Sequence, residues 1–360
     1  MEGRVYNFAA GPAMLADEVL QMLSEERYNY EGSGMAVMEM SHSSKGYLKI
    51  FEEVKADLRK VMNIPENYEI FFMHGGATGQ FSAIPLNLLK KKADYIVTGN
   101  FAKKAAEEAA KYGEVHLAYN GKEENYKRIP KQEELKLSKD ADYVHLCANN
   151  TIFGTEWDYI PETNGVPIVA DMSSSILSKE IDVSRYGLIY AGAQKNMGIS
   201  GLAVVIIRKD LIGEAKEYTP VLYRYDLTQK NDSMYNTPST YSIYVLGKVL
   251  KWILNLGGLK EMEQRNALKA KTLYECLDNC DFYTPLAKKD SRSRMNVTFT
   301  APSPELDAEF VKEAAERGLL NLKGHRLIGG IRASIYNAMP QEGVEELVAF
   351  MKQFAKEHAL

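Results

Sequence analysis

One lysine, Lys195, stands in the stretch YAGAQKNMGI (190–199), directly after an apolar run and among small residues. The pattern carries its long cationic side chain toward the interior, where a lysine is costly unless it is paired or deprotonated. The plain alternative is a lysine whose stem packs while its head reaches water. A lysine that sheds its proton condenses with an aldehyde. Twenty-four residues earlier, Asp171 ends the apolar run VPIVAD and precedes MSSS. An aspartate there serves as a turn or helix cap, or it holds a proton on a pyridine nitrogen so that the ring becomes an electron sink. HGGATGQF (74–81) offers glycines for a tight turn at a helix start, whose free N–H groups attract an anion such as phosphate. Many strand–helix turns are glycine-rich for steric reasons alone. In YNTPSTYSIY (235–244), Thr237 precedes Pro238 as in an N-cap with proline at the first helical position.

The elements that position these residues are short apolar runs alternating with longer charged stretches of helical period. YEIFFM (68–73), DYIVTG (94–99), EVHLAY (114–119), DYVHLCA (142–148), VPIVAD (166–171), GLIYAG (187–192) and GLAVVIIR (201–208) read as strands. GQFSAIPLNLLKK (79–91) and AKKAAEEAAKYG (102–113) read as helices. The alternation predicts an α/β domain with a mostly parallel sheet, whose ligands gather at the carboxyl ends of the strands. Lys195, Asp171 and the glycine pair all fall at such ends. Past residue 240, helical stretches over 240–256 and 259–278 meet at Gly257–Gly258, which reads as a helix stop. Strand-like SRMNVTF and GIRASIY then mix with helical segments over 305–318 and 343–358. That is the make-up of a smaller α+β domain. A boundary near 255 gives a large domain of 16–255 and a small domain of 1–15 with 256–360.

The bulk composition excludes several classes. The 360 residues carry 44 Lys and Arg interleaved with 48 Asp and Glu, for a net charge of −4. This is no basic footprint of a nucleic-acid binder, and a small-molecule partner is expected. MEGRVYNFAAGPAML lacks the apolar core of a signal peptide. VPIVA and GLAVVII are too short to span a bilayer. Cys147, Cys276 and Cys280 fit no zinc or redox spacing, and so sparse a set points to a reducing cytoplasm. No metal is expected. Aldehyde, pyridine and phosphate are the three handles of pyridoxal 5′-phosphate, the cofactor to which the lysine, the aspartate and the glycines point together.

Longer stretches make the reading more specific. FAAGPAMLADEVL, VMEMSHSSKGY, HGGATGQF, SSSILSKEIDVSRYGLIYAGAQKN, NTPSTYSIY, SRMNV and KGHRLIGGIRASIYNAMP resemble the phosphoserine aminotransferase family, class V pyridoxal-phosphate enzymes of fold type I, over nearly the whole chain. The resemblance implies that fold, with its large parallel-sheet domain and small α+β domain. It implies that Lys195 carries the cofactor and moves the substrate's proton, and that Asp171 pairs with the pyridinium nitrogen. Ala77, Thr78 and Gln194 would contact the phosphate, and Thr151 the phenolic oxygen. Phe101 would stack on the ring where the family usually has tryptophan, keeping the aromatic face without the indole donor. Asn236 and Thr237 would reach the phosphate from a neighbouring subunit, which implies a homodimer with shared active sites. Arg332 would clamp the α-carboxylate with its planar fork, and His325, Arg326, His42 and Ser43 would lie at the distal anion. Without the resemblance, Phe101 reads as a core aromatic, Arg332 as half of an ion pair and His42 as a turn residue.

Besides Phe101, two further positions depart from the family pattern. Most relatives read Ser-His-Arg where this chain has Ser43, and some carry an arginine where it has Thr78. A hydrogen bond to a charged group is worth about 1.5–3 kcal/mol, so its loss weakens distal-anion binding by roughly ten- to a hundredfold. His325 and Arg326 could retain the preference, or Lys45 could reach in. The implied reaction converts O-phospho-L-serine and 2-oxoglutarate to 3-phosphooxypyruvate and L-glutamate in serine biosynthesis, with the phosphohydroxythreonine step of pyridoxine biosynthesis as a second role. Ser43 favours instead a class V aminotransferase of alanine, serine or glyoxylate; KGHR before GGIRASIY opposes it. A cysteine desulfurase fits less well, since Cys276 and Cys280 sit four apart on a predicted helix. A cofactor-free binding protein is opposed by Lys195, Asp171 and Thr151.

Overall fold

Runs of β-branched and aromatic residues form the strands of a seven-stranded sheet. These are β1 (Tyr68–His74), β2 (Lys92–Val97), β3 (Glu114–Asn120), β4 (Val144–Cys147), β5 (Ile168–Asp171), β6 (Leu188–Gly192) and β7 (Leu202–Arg208). The structure is a computed structural model that describes residues 3–358; residues 1–2 and 359–360, assigned above to the small domain, lie outside the described residues. The strand order is β1-β7-β6-β5-β4-β2-β3. All neighbours are parallel except β7, which runs antiparallel to both β1 and β6. The exception has a simple cause. Only residues 193–201 separate β6 from β7, and a parallel return needs a crossover of a dozen residues or more.

Alternate residues of each strand enter opposite cores. In β7, Leu202, Val204 and Ile206 join one cluster, while Ala203, Val205 and Ile207 join the other. The first is roofed by α1 (Asp17–Glu26), α2 (Lys45–Val61) and α6 (Thr240–Leu256). The second is roofed by α3 (Gly76–Leu88) and α4 (Asn100–Ala109), with Tyr225 of the short α5 (Tyr225–Lys230). This is a three-layer α/β sandwich.

Gly257 ends α6 in the left-handed region, at φ +110°, where only glycine is free of strain. The next helix, α7 (Leu259–Asp278), bridges two cores: Leu259 and Met262 pack in the first cluster, and Ala270, Leu273 and Leu277 in a third. That third core lies against an antiparallel sheet of β8 (Thr284–Pro285), β9 (Asn296–Thr300) and β10 (Ile331–Ser334). Helices α8 (Pro304–Glu316) and α9 (Gln341–His358) complete it. Tyr6–Asn7 pairs in parallel with Leu319–Leu320, and Phe8 enters this core, so the start of the chain is tied to this lobe. No helix among the described residues is long and apolar enough to cross a membrane.

Phe310 is the hub of the third core. Its ring lies 4.9 Å from Phe350, 5.3 Å from Phe354 and 6.0 Å from Phe299, centre to centre. Phe310→Ala should therefore cost about 3–5 kcal/mol in denaturant unfolding. Leu268→Ala, at a 53% exposed position, should shift it by no more than about 0.5 kcal/mol.

Candidate active site

The carboxyl ends of β1, β2, β4, β5 and β6 open onto one cavity of about 550 Å³, a volume suited to a small molecule. Each strand end delivers a residue of interest: Ala77 and Thr78 after β1, Phe101 after β2, Thr151 after β4, Asp171 on β5 itself, and Gln194 and Lys195 after β6. His325 and Arg332 close the cavity from the second lobe.

The turn after β6 is closed by Ala193 N–H, which donates to Leu202 O at 2.9 Å. Lys195 leaves this turn half-buried, with its amine in the cavity rather than in bulk water. Its Nζ donates to Thr151 Oγ1 at 2.8 Å and lies 5.7 Å from the centre of the Phe101 ring. Burial pushes the Lys195 pKa down to about 8; the charges of Asp171 and Cys147 oppose that shift, and Arg332 adds to it. Asp171 is 5% exposed. Its Oδ1 accepts from Ser173 N at 2.9 Å and from Ser173 Oγ at 2.7 Å, and the same hydroxyl accepts from Gly192 N at 3.0 Å. The turn role open to this aspartate is thus real, but it occupies only one carboxylate oxygen. Burial raises the carboxyl pKa, while Ser173, Lys195 and Tyr190 pull it back.

Helix α3 begins three residues before its apolar pattern because Gly75 turns the chain at φ +88°. Ala77 and Thr78 therefore fall in its first turn, where N–H groups lack helical partners. A Cβ on Gly192 would lie 2.7 Å from Gln194 Oε1 and 3.4 Å from Ala77 N. Only glycine leaves open the niche between that amide and the helix start, and such a niche draws an anion.

Arg332, on β10, is half-buried, and its Nη1 donates to Thr151 O at 3.3 Å. It has no carboxylate partner among the described residues, so the ion-pair reading does not hold. His325 stands beside it, its pKa lowered by burial and then by Arg332, Arg326 and Lys104. This wall of the cavity is cationic.

The remaining residues singled out in the sequence do not line the cavity. Arg326 is exposed next to His325. His42 and Ser43 belong to the turn before α2, with Ser43 Oγ 3.0 Å from Ser41 Oγ; the cap of that helix is Ser44, which accepts from Tyr47 N. Asn236 and Thr237 are exposed beside His74, whose Nε2 lies 3.1 Å from Thr237 O and 3.3 Å from Asn236 Nδ2. The N-cap expected at Thr237 is not formed. Thr240 N–H donates to Pro238 O at 2.8 Å, making a tight turn of 238–240, and α6 starts at Thr240. Sequence reasoning missed Ser173, which stood in plain view in MSSS, and Asn149. The latter donates to Ser174 Oγ and Asn296 Oδ1, both at 2.8 Å. Its partner Asn296 is 147 positions away, and no local signal links the two.

The chain matches the family model described as Aminotransferase class-V over residues 5–347. It is 52% identical over 360 residues to the phosphoserine aminotransferase of Pseudomonas aeruginosa (strain LESB58), covering 99% of this chain and 100% of that one. Its fold is similar to that of phosphoserine aminotransferase from Bacillus circulans subsp. alkalophilus, with TM-score 0.97 and 45% identity over 99% of each chain. It is also similar to the pyridoxal-phosphate-bound phosphoserine aminotransferase of Trichomonas vaginalis, with TM-score 0.93 and 40% identity over 97% of this chain and 100% of that one.

An amine titrating near 8 has a distinct reactivity. Reductive labelling of Lys195 in cofactor-free protein by a small aldehyde should be roughly eightfold faster at pH 8.5 than at pH 7 and level off above about pH 9. Peptide mapping reads the rate. An ordinary lysine would keep climbing past pH 10.

Proposed function

The chain belongs to the class-V aminotransferase family, and from that membership and the cavity's chemistry we propose that it is a phosphoserine aminotransferase, converting O-phospho-L-serine and 2-oxoglutarate to 3-phosphooxypyruvate and L-glutamate. It is a pyridoxal-phosphate-dependent enzyme. The residues present fit that cofactor: a carboxylate whose turn bonds occupy one oxygen, an amine of lowered pKa and a helix start kept open by Gly192 surround one cavity. Their convergence is the observation that carries the reading.

When bound, the cofactor supplies an aldehyde for the lysine and a protonated ring that draws electrons from the substrate's α-carbon. The protein does the rest. Thr151 Oγ1 accepts from Lys195 Nζ and holds it in place, so that the neutral amine takes the α-proton and hands it on. Asp171 keeps an acceptor facing the ring nitrogen. Ala77, Thr78 and Gln194, which line the cavity at the α3 N-terminus, would hold the phosphate, and Phe101 would pack on the ring. Arg332, without a carboxylate partner among the described residues, takes the substrate's carboxylate in a bidentate grip. His325 and Arg326, with Lys104 near, face the distal anion. Alanine and glyoxylate have no distal anion to meet His325, Arg326 and Lys104, and full-length identity of 52% to a phosphoserine aminotransferase also disfavours that alternative. Residues 16–255 are read as the cofactor-binding domain, with 1–15 and 256–360 as the small domain.

The enzyme is further read as a cytoplasmic homodimer with shared sites. Its three cysteines are free, as a reducing compartment allows. His42, Ser43, Asn236 and Thr237 lie outside the chain's own cavity. Val221, Leu222 and Tyr235 are each about half exposed, an apolar surface that a second copy would cover.

Holoenzyme mixed separately with phosphoserine, glutamate and alanine should lose its yellow absorbance quickly with the first two only. Conversion by alanine with phosphoserine inert would transfer the assignment to the alternative. Lys195→Ala should lower turnover by at least about a thousandfold. Sedimentation should give twice the chain mass, and Leu222→Asp should shift that mass toward the monomer and weaken cofactor retention.

A further inference from the structure

Behind Asp171, away from the cavity, lie two polar groups that the reaction does not touch. Asp171 and Tyr190 stand opposite each other in the β5–β6 register, so their side chains leave the sheet on the same face. His145 belongs to that face as well, two residues before Cys147, which pairs with Asp171 in the β4–β5 register. The Tyr190 hydroxyl is 2.8 Å from His145 Nε2, and it stands next to Asp171, whose ionised form it favours. Both side chains are 0–1% exposed, and His145 stacks on Tyr95 at 4.7 Å.

The other ring nitrogen settles the direction of this chain of bonds. Among the described residues His145 Nδ1 is buried with no hydrogen-bond partner, and burial keeps the imidazole neutral, so one nitrogen carries the only proton. Were Tyr190 to donate to Nε2, that proton would sit on Nδ1 as an orphaned N–H. With the proton on Nε2, Nδ1 is a bare acceptor, the less costly defect. His145 Nε2–H then donates to the Tyr190 oxygen, and the Tyr190 O–H is turned to Asp171. Ser173 already serves Asp171 Oδ1 twice, so the two donor sets together hold the carboxylate.

We propose that His145 and Tyr190 are positioning residues for transamination, a two-bond relay that holds the Asp171 carboxylate, by a hydrogen bond from behind, in the state and direction required at the cofactor's ring nitrogen. This rests on the reading of Asp171 given above. The relay also gives a reason for a histidine and a tyrosine to occupy the middle of otherwise apolar strands.

The test is equilibrium binding of pyridoxal 5′-phosphate to cofactor-free protein, with the pH dependence of the bound absorbance as a second readout. Tyr190→Phe should weaken binding about tenfold and should change the absorbance titration. In an Asp171→Asn background, the same substitution should add nothing. His145→Phe, which preserves the stack on Tyr95, should lose part of the affinity, and His145→Gln, which keeps a donor toward Tyr190, should restore most of it. Tyr95→Phe removes a hydroxyl bonded only to Tyr143 in the same aromatic stack and should leave binding unchanged. Wild-type binding by Tyr190→Phe, or an equal loss in the Asp171→Asn background, would overturn the relay alone. Wild-type binding by Asp171→Asn would overturn the role of Asp171, and the relay with it. Should Tyr190→Phe fail to fold, the contrast between His145→Phe and His145→Gln decides the matter.

Discussion

Burial of two opposite charges at the carboxyl end of a sheet is the constraint on which this structure turns. Removed from water, Asp171 is driven toward its neutral form and so is Lys195, because desolvation penalises whichever form is charged. Each charge partly relieves the other across the cavity. The result is an amine near the edge of ionisation beside a carboxylate that Ser173 holds in place. A surface site could not do this, since water would restore both groups to their ordinary ranges. The short strands β4, β5 and β6 serve the purpose directly by ending together in a dry wall that brings Thr151, Asp171 and Lys195 within reach of one another.

Such a site tolerates little play, and the two lobes are joined by groups that cannot be left unpaired. Asn149, at the cavity floor, bonds Asn296 of the second sheet, which in turn bonds Ser334 and Tyr336; the Tyr336 hydroxyl donates to Ala10 O. Breaking one member strands its partner in the interior at about 1–3 kcal/mol. Within the second lobe, the Lys269 amine of α7 donates to the carbonyls of Ile335 and Tyr336, immediately beyond the strand that presents Arg332. The position of Arg332 relative to Lys195 is thus set by buried polar bonds rather than by surface contacts, and this fits a cavity made jointly by both lobes.

Much of the fold could be read from local pattern, because each strand is a short run with its own turn signals. Gly257–Gly258 and the glycines at 75–76 act where they were expected to. Lys195 and Asp171 were legible because a charged side chain at the end of an apolar run is costly to bury and has to be offset by a partner or by chemistry. The direction of β7 was not, since it depends on the length of the turn before it rather than on its own composition. Thr237 misled because a Thr-Pro pair suits a tight turn as well as a helix start, and His74, 163 positions away, holds the turn. Tyr190 and His145 were hidden in plain strand sequence. Their polarity has meaning only once adjacent strands bring them to Asp171.

On the proposed assignment, position 43 carries serine where relatives would bring an arginine to the distal anion, and the electrostatics of the cavity's cationic wall bear on that loss. Burial and the cations Arg332, Arg326 and Lys104 hold His325 below its ordinary pKa, so the ring adds less charge to this wall than its neighbours do. On the proposed assignment a phosphate dianion brought against the wall meets those cations and favours the protonated ring. A neutral side chain such as that of alanine offers no charge for them to meet, so on that assignment selectivity for a dianion rests on this wall rather than on position 43.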